Sequence, residues 1–149
     1  FVKGMYVINL RELTVEWGHC DPAGIVFHPR FIEYFDWCCS LLLEKATGLT
    51  KAQLKPAHGL AGIPIIDMEV RFLAPVSYND RIKIFSTFSE VSRSSLVIRH
   101  CLLNGATTAV ECSQTRVWCT ADPDDPKKLK ASPIPEILVA KFKLPGASV

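Results

Sequence analysis

With 149 residues, 48% of them apolar, and a formal net charge of +2, the chain is long enough for one hydrophobic core and too short for two, so a single domain over residues 1–149 is expected. The small charge, with no arginine-rich run and no zinc-type spacing, argues against a nucleic-acid binder. The longest apolar run, Cys38 to Leu43, contains Ser40 and is broken by Glu44 and Lys45, which is far short of a membrane span. The six cysteines, Cys20, Cys38, Cys39, Cys101, Cys112 and Cys119, form no CxxC pair or regular framework. They read as reduced, mostly buried thiols, which points to a cytoplasmic protein. No secretory leader is recognised, and the start at Phe1 rather than Met leaves room for a missing N-terminal piece.

Residues 6 to 17 alternate loosely, with Tyr6, Ile8, Leu10, Leu13, Val15 and Trp17 apolar, and are predicted to form a strand. The strand leads into Gly18-His19-Cys20-Asp21-Pro22-Ala23-Gly24, a loop in which Pro22 fixes φ and Gly24 permits a positive φ. A long helix is predicted from about Pro29, a residue suited to the first helical position, to Gly48, which caps it. Phe31, Ile32, Phe35, Cys38, Cys39, Leu42, Leu43 and Ala46 share one broad face of it, with Arg30, Glu33, Trp37, Ser40 and Glu44 opposite. Thr50 and Gln53 are spaced as a capping box for a short helix ending before Pro56.

After His58-Gly59 the period changes to two. Ile66 to Phe72, Arg81 to Val91, Leu96 to Leu103 and Ala106 to Thr120 are predicted strands, with Tyr78-Asn79-Asp80 as a turn and Asn104-Gly105 as a hairpin signal. Residues 122–135 form a proline- and charge-rich loop, and Pro135 to Phe142 a short terminal helix. This order argues for an α+β fold in which an antiparallel sheet packs one face against the long helix. The edges and outer face of the sheet then favour self-association.

The run Asp21-Pro22-Ala23-Gly24-Ile25-Val26-Phe27-His28-Pro29, followed by the helix and four strands, resembles the hotdog-fold acyl-CoA thioesterases of the 4-hydroxybenzoyl-CoA thioesterase family. The likeness covers about residues 8–120, and its most specific part is the pattern Asp-x-x-Gly-[IV]-V-[FWY]-[HY]. It implies a hotdog fold, a long helix wrapped by a curved antiparallel sheet, with two subunits joining their sheets and the active site at their interface.

An aspartate before Pro-Ala-Gly is by itself most often a turn former. On the resemblance, Asp21 matches the catalytic carboxylate, acting as nucleophile on the thioester carbonyl or as general base for water. The helix start at Phe27 and His28 matches the element whose backbone N–H polarises the thioester oxygen, in keeping with the positive end of a helix dipole. The His28 side chain matches a histidine of the Tol–Pal-associated branch, where the hydroxybenzoyl branch tends to have tyrosine, and is a second catalytic candidate beside Asp21, its plainer reading being a cap of the helix start. Trp17 stands where the Tol–Pal branch tends to have tyrosine, and it is placed with Asp36 in the acyl pocket. Asp36 matches an acid of the hydroxybenzoyl branch and is suited to accept a hydrogen bond from a phenolic hydroxyl. Its plainer reading is a solvated acid on the helix flank.

For coenzyme A, the turn holding Arg93, Ser94 and Ser95 matches the family's nucleotide-binding turn; Lys127, Lys128 and Lys130 offer further cations, though a run of three lysines is more often a solvated surface. The histidines are not spaced as a metal set, so neither a metal nor another cofactor is expected, coenzyme A being part of the substrate. The expected activity is hydrolysis of a small, aromatic, 4-hydroxybenzoyl-like acyl-CoA by a homodimer or homotetramer. A short-chain aliphatic acyl-CoA is the alternative within the same chemistry. A hotdog hydratase or dehydratase and a non-catalytic acyl-CoA-binding protein are alternatives from other classes. A dehydratase poises a histidine and an acid over a β-hydroxyacyl chain, whereas here the acid precedes the helix in an Asp-Pro-Ala-Gly loop, which favours hydrolysis.

Overall fold

The computed structural model describes residues 5–145. The elements are β1 (Ile8–Thr14), a 3-10 turn (Trp17–His19), α1 (Pro29–Thr47), α2 (Lys51–His58), β2 (Ile65–Phe72), β3 (Arg81–Val91), β4 (Ser95–Asn104), β5 (Thr107–Val117), β6 (Cys119–Ala121), β7 (Leu129–Ala131) and α3 (Glu136–Phe142). Five of the strands form one antiparallel sheet in the order β1-β3-β4-β5-β2, and β6 and β7 pair as a separate ribbon. Bulges between Phe88 and Glu90, Leu102 and Leu103, and Ile65 and Asp67 increase the local twist of the sheet.

The long helix forms where its apolar spacing and its ends agree. Pro29 occupies the first turn, and Gly48 closes the helix in the left-handed region at φ 74°, its N–H donating to the Glu44 carbonyl. The buried face is Phe31, Tyr34, Phe35, Cys38, Cys39, Leu42, Leu43 and Thr47. Tyr34 joins the expected face, and Ile32 lies only half-buried at its edge. The N-terminal half of α1 packs on Ile82, Ile84, Leu102, Val110 and Cys112. Its C-terminal half packs with Phe88, Leu96, Ile98, Trp118, Leu138 and Phe142.

The inner face of the sheet also carries four buried polar residues: Ser86 and His100 between these two halves, and Gln114 and Arg116 on β5 opposite Ile98 and Leu96. Ser86 and His100 are directly opposed across β3 and β4. Ser86 Oγ and His100 Nδ1 are 2.6 Å apart, and the imidazole stacks on Phe35 with centroids 5.0 Å and planes 21° apart. Cysteines fill the space alongside. Burial pushes the Cys39 and Cys112 thiols up to about 11, which makes them apolar fillers rather than nucleophiles.

Three local expectations are corrected. The first strand ends at Thr14, opposite Arg81, because β3 begins there; the chain beyond it pairs Val15 with the 79–80 turn and then closes a 3-10 turn through His19 N–H to Glu16 O. The second helix keeps its Thr50–Gln53 capping box but runs through Pro56 to His58. Proline removes one intrahelical bond, yet only half a turn follows, the buried Leu54 anchors the helix, and Gly59 ends it at φ 69°. The last long strand splits at Trp118 into β5 and β6, and the charged loop returns as β7 to pair with β6.

The buried histidine has a measurable consequence. Burial, reinforced by the nearby Arg116 guanidinium, lowers the His100 pKa from 6.5 to about 3. The unfolded chain therefore takes up a proton near pH 6.5 that the folded chain refuses, so this contribution to stability is whole above pH 6.5 and is lost as pH falls toward 3. About 2 kcal/mol is expected to disappear by pH 5. Urea unfolding at pH 7 and pH 5 should show that difference, and His100→Gln should shrink it.

Candidate active site

The Asp21 loop is a small hairpin built by its own sequence. Gly24 N–H donates to the Asp21 carbonyl at 2.9 Å and Asp21 N–H to the Ile25 carbonyl at 2.9 Å, closing the turn over Pro22 and Ala23. Aspartate first, proline second and glycine fourth is the residue order that a type I turn followed by a left-handed residue favours. Gly24 has a φ of 79°. The hairpin is pinned to the 76–78 connection by Val26 N–H to Val76 O and Tyr78 N–H to Gly24 O, and to the 3-10 turn by Phe27 N–H to His19 O. Asp21 is thereby held directly before α1 at the end of the sheet where β3 starts.

Within the loop, the Ala23 N–H donates to Asp21 Oδ1 at 2.8 Å. Asp21 Oδ2 has no hydrogen-bond partner among the described residues. The carboxylate is thus oriented through one oxygen and leaves the other open. At the helix start the supply of free amides is small: Pro29 has none, and the N–H groups of Arg30 and Phe31 donate to Phe27 O and His28 O. The Phe27 amide is also engaged, with the His19 carbonyl at 2.9 Å, which corrects its assignment as an oxyanion donor. His28 N–H has no protein partner among the described residues, and neither does the Ile25 N–H in the hairpin. The exposed His28 ring lies near Phe27 and Phe72, with centroids 5.3 and 6.5 Å away.

Trp17 is at the same end, 69% exposed, with its ring edge-on to Tyr78 at 5.3 Å. Behind the loop, His19 Nδ1 meets the buried Tyr34 hydroxyl at 2.8 Å. Asp36 lies two helical turns beyond the start of α1, on the order of 12 Å along the axis. It lines a groove of about 600 Å³ with Ile32, Glu33, Trp37, Ser40 and Ile65. It is not simply solvated, because Arg116 Nη2 donates to Asp36 Oδ1 at 2.7 Å. Spacing along the chain gave no hint of that pair, which joins α1 to β5 across 80 positions. The alternation of β5, with Val110, Cys112, Gln114 and Arg116 on one face, was the available signal for a buried arginine.

The residues expected to bind coenzyme A are not brought near this end. Arg93, Ser94 and Ser95 form the β3–β4 turn, so the length of β3 separates them from Asp21, roughly 30 Å. The carbonyls of Arg93 and Ser94 accept from Ile134 and Trp118 N–H, and the Arg93 side chain has no partner among the described residues. Lys127 and Lys128 lie on the β6–β7 connection and Lys130 in β7, all three exposed. No metal-ligating cluster of three or more side chains occurs among the described residues. No helix among them is long and apolar enough to cross a membrane.

A long helix laid over one antiparallel sheet is the plan of a hotdog fold. The family model described as the Thioesterase-like superfamily matches residues 15–142, and the chain belongs to that family. It is 32% identical over 89 residues to the 4-hydroxybenzoyl-CoA thioesterase of Pseudomonas sp. strain CBS-3, a match spanning 60% of this chain and 63% of that one, just under two thirds of the relative's length. The solved structure of that enzyme superposes with a TM-score of 0.81 at 25% identity, over 90% of this chain and 98% of the other. A gentisyl-coenzyme A thioesterase superposes with a TM-score of 0.75 at 26% identity, over 89% and 99%. The acyl-CoA thioester hydrolase YbgC of Escherichia coli O157:H7 is 24% identical over 123 residues, 83% of this chain and 87% of that one.

The loop geometry makes Gly24 a test of how the site is held. No atom lies within 4 Å of a Cβ placed there, so a substitution meets open space and costs only the φ of +79°. Gly24→Ala should therefore cost about 1 kcal/mol by denaturant unfolding. Gly24→Asn, though larger, should cost less, an order opposite to that of steric crowding.

Proposed function

We propose that this protein hydrolyses small hydroxyaryl acyl-CoA thioesters to the free acid and coenzyme A, with Asp21 as the reacting carboxylate. The observation that carries the reading is the pairing of one open carboxylate oxygen on a locked hairpin with one open amide at the adjoining helix start. The thioester carbonyl oxygen is placed at His28 N–H, where the helix dipole favours the negative charge that develops on attack. Asp21 either adds to the carbonyl carbon itself, giving an acyl anhydride that water then cleaves, or takes a proton from water as that water adds. In both routes the tetrahedral intermediate collapses with loss of the coenzyme A thiolate, which is protonated by Asp21 in the general-base route and by solvent in the anhydride route.

The acyl class follows from Asp36 and its groove. Trp37, Ile32 and Ile65 offer apolar surface to a ring, and the carboxylate offers an acceptor to a ring hydroxyl. The names of the Pseudomonas and gentisyl relatives, both hydroxylated benzoyl thioesterases, support that choice.

A site that uses both Asp21 and the Arg93 turn draws them from different copies, since one copy holds them at opposite ends of the sheet. The edge strand β2 supports association, with Ile66 and Phe72 exposed on it and Leu73 just beyond. Mixing Asp21→Asn with Arg93→Ala should then restore activity that neither variant shows alone. A mixture no more active than the sum of its parts would remove the shared site.

The direct test is thiol release from aryl and alkyl acyl-CoAs at neutral pH without added metal. Asp21→Asn should lower kcat by at least 10³-fold, roughly the loss of a reacting group, while still binding substrate. Retention of turnover by that variant would refute the role of Asp21, and a preference for alkyl thioesters would refute the aryl assignment. Single turnover in ¹⁸O-water separates the two routes, because label in the Asp21 carboxylate requires the anhydride.

A further inference from the structure

We infer that Arg116 is a positioning residue for acyl-group recognition. It turns Asp36 so that one carboxylate oxygen is held inside the protein and the other is presented to the groove. This rests on Asp36 reading the acyl group, as proposed above.

The pair is asymmetric in a way that ordinary surface ion pairs are not. The Arg116 side chain is 5% exposed and that of Asp36 is 58% exposed. Three acceptors from three parts of the fold hold the guanidinium: Nε donates to Gln114 Oε1 at 3.0 Å, Nη1 to the Ile63 carbonyl at 3.0 Å, and Nη2 to Asp36 Oδ1 at 2.7 Å. With Nε and Nη1 bound on fixed backbone and strand positions, the fork cannot swing, so Nη2 projects from a set point beneath α1. Asp36 Oδ1 is drawn to that point. Oδ2 has no partner among the described residues, and Asp36 lines the groove together with Ile32, Trp37 and Ile65.

An aspartate on an exposed helix face, left alone, samples several rotamers and offers its charge to water. Fixed by Arg116, it offers a single acceptor in one direction, and the arginine offsets its charge. Such an acceptor suits a neutral donor such as a phenolic hydroxyl and discriminates against the ring that lacks one, because that ring leaves the oriented oxygen desolvated and unpaired. Lysine cannot reproduce this, since an ammonium has no planar fork to span three acceptors.

The readout is the ratio of kcat/KM for 4-hydroxybenzoyl-CoA to that for benzoyl-CoA, with folding followed by circular dichroism. Arg116→Met should lower the ratio about tenfold, as Asp36→Asn should, and the double variant should lower it no further than either. Arg116→Lys should fall between wild type and Arg116→Met. A role confined to stability would lower both kcat/KM values together and leave the ratio unmoved. An unchanged ratio in Arg116→Met, or in Arg116→Lys if the methionine variant does not fold, overturns the inference while Asp36→Asn still lowers it. If Asp36→Asn leaves the ratio unchanged as well, the reading of Asp36 fails first, and Asp21-dependent thiol release stands or falls separately.

Discussion

The structure depends on one packing constraint: α1 must bury a continuous apolar face against a sheet whose inner face is interrupted by buried polar side chains. Phe35, Cys38, Cys39, Leu42 and Leu43 are fully buried, and truncating residues of this kind generally costs roughly 2–5 kcal/mol each. Because the helix is held along its length, its first turn is fixed in space, and so is the hairpin that leads into it. Asp21 owes its position to residues several turns away as much as to Pro22 and Gly24.

The buried polar residues within that packing are under different limits. His100 is kept neutral by burial and shares its Nδ1 with Ser86, so it contributes shape and a hydrogen bond without charge. Arg116 is charged in any setting and brings three acceptors with it. A buried cation costs desolvation that its partners repay only in good geometry. A hydrophobic residue in its place would fill the core with less risk, which is why a role at Asp36 accounts for this arginine better than stability does.

What was legible in the sequence was local. The Asp-Pro-Ala-Gly turn, Pro29 and Gly48 at the helix ends, the Thr50–Gln53 box and the Asn104-Gly105 hairpin each answer a backbone demand made within a few residues, so their side chains announce them. The α+β layering followed from the change of period after Gly59. Features set by distant pairing were not legible. The end of β1 is fixed by where β3 starts, and the survival of α2 past Pro56 by the burial of Leu54. The loss of the Phe27 amide to His19 depends on how two turns meet, and the Asp36–Arg116 contact on the register of β5 beneath α1. The residues at issue were visible in each case, but their partners lay on other elements.

The site also explains its own surroundings. A single amide and a single carboxylate oxygen act weakly on a developing charge when water competes for both, since electrostatic stabilisation grows as water is excluded. In the lone chain, the Asp21 end is ringed by exposed apolar surface: Trp17, Ile25, Phe27, Phe72, Leu73 and Tyr78. That surface is too apolar to be left to solvent and too close to the hairpin to be unrelated to it. Covering it with an acyl group and a second copy would serve both needs at once, burying the ring of side chains and drying the oxygen and amide on which the chemistry turns. On this account the sparse donor set at the helix start is no defect of the site. It would suffice were a ligand and a second copy to displace the water.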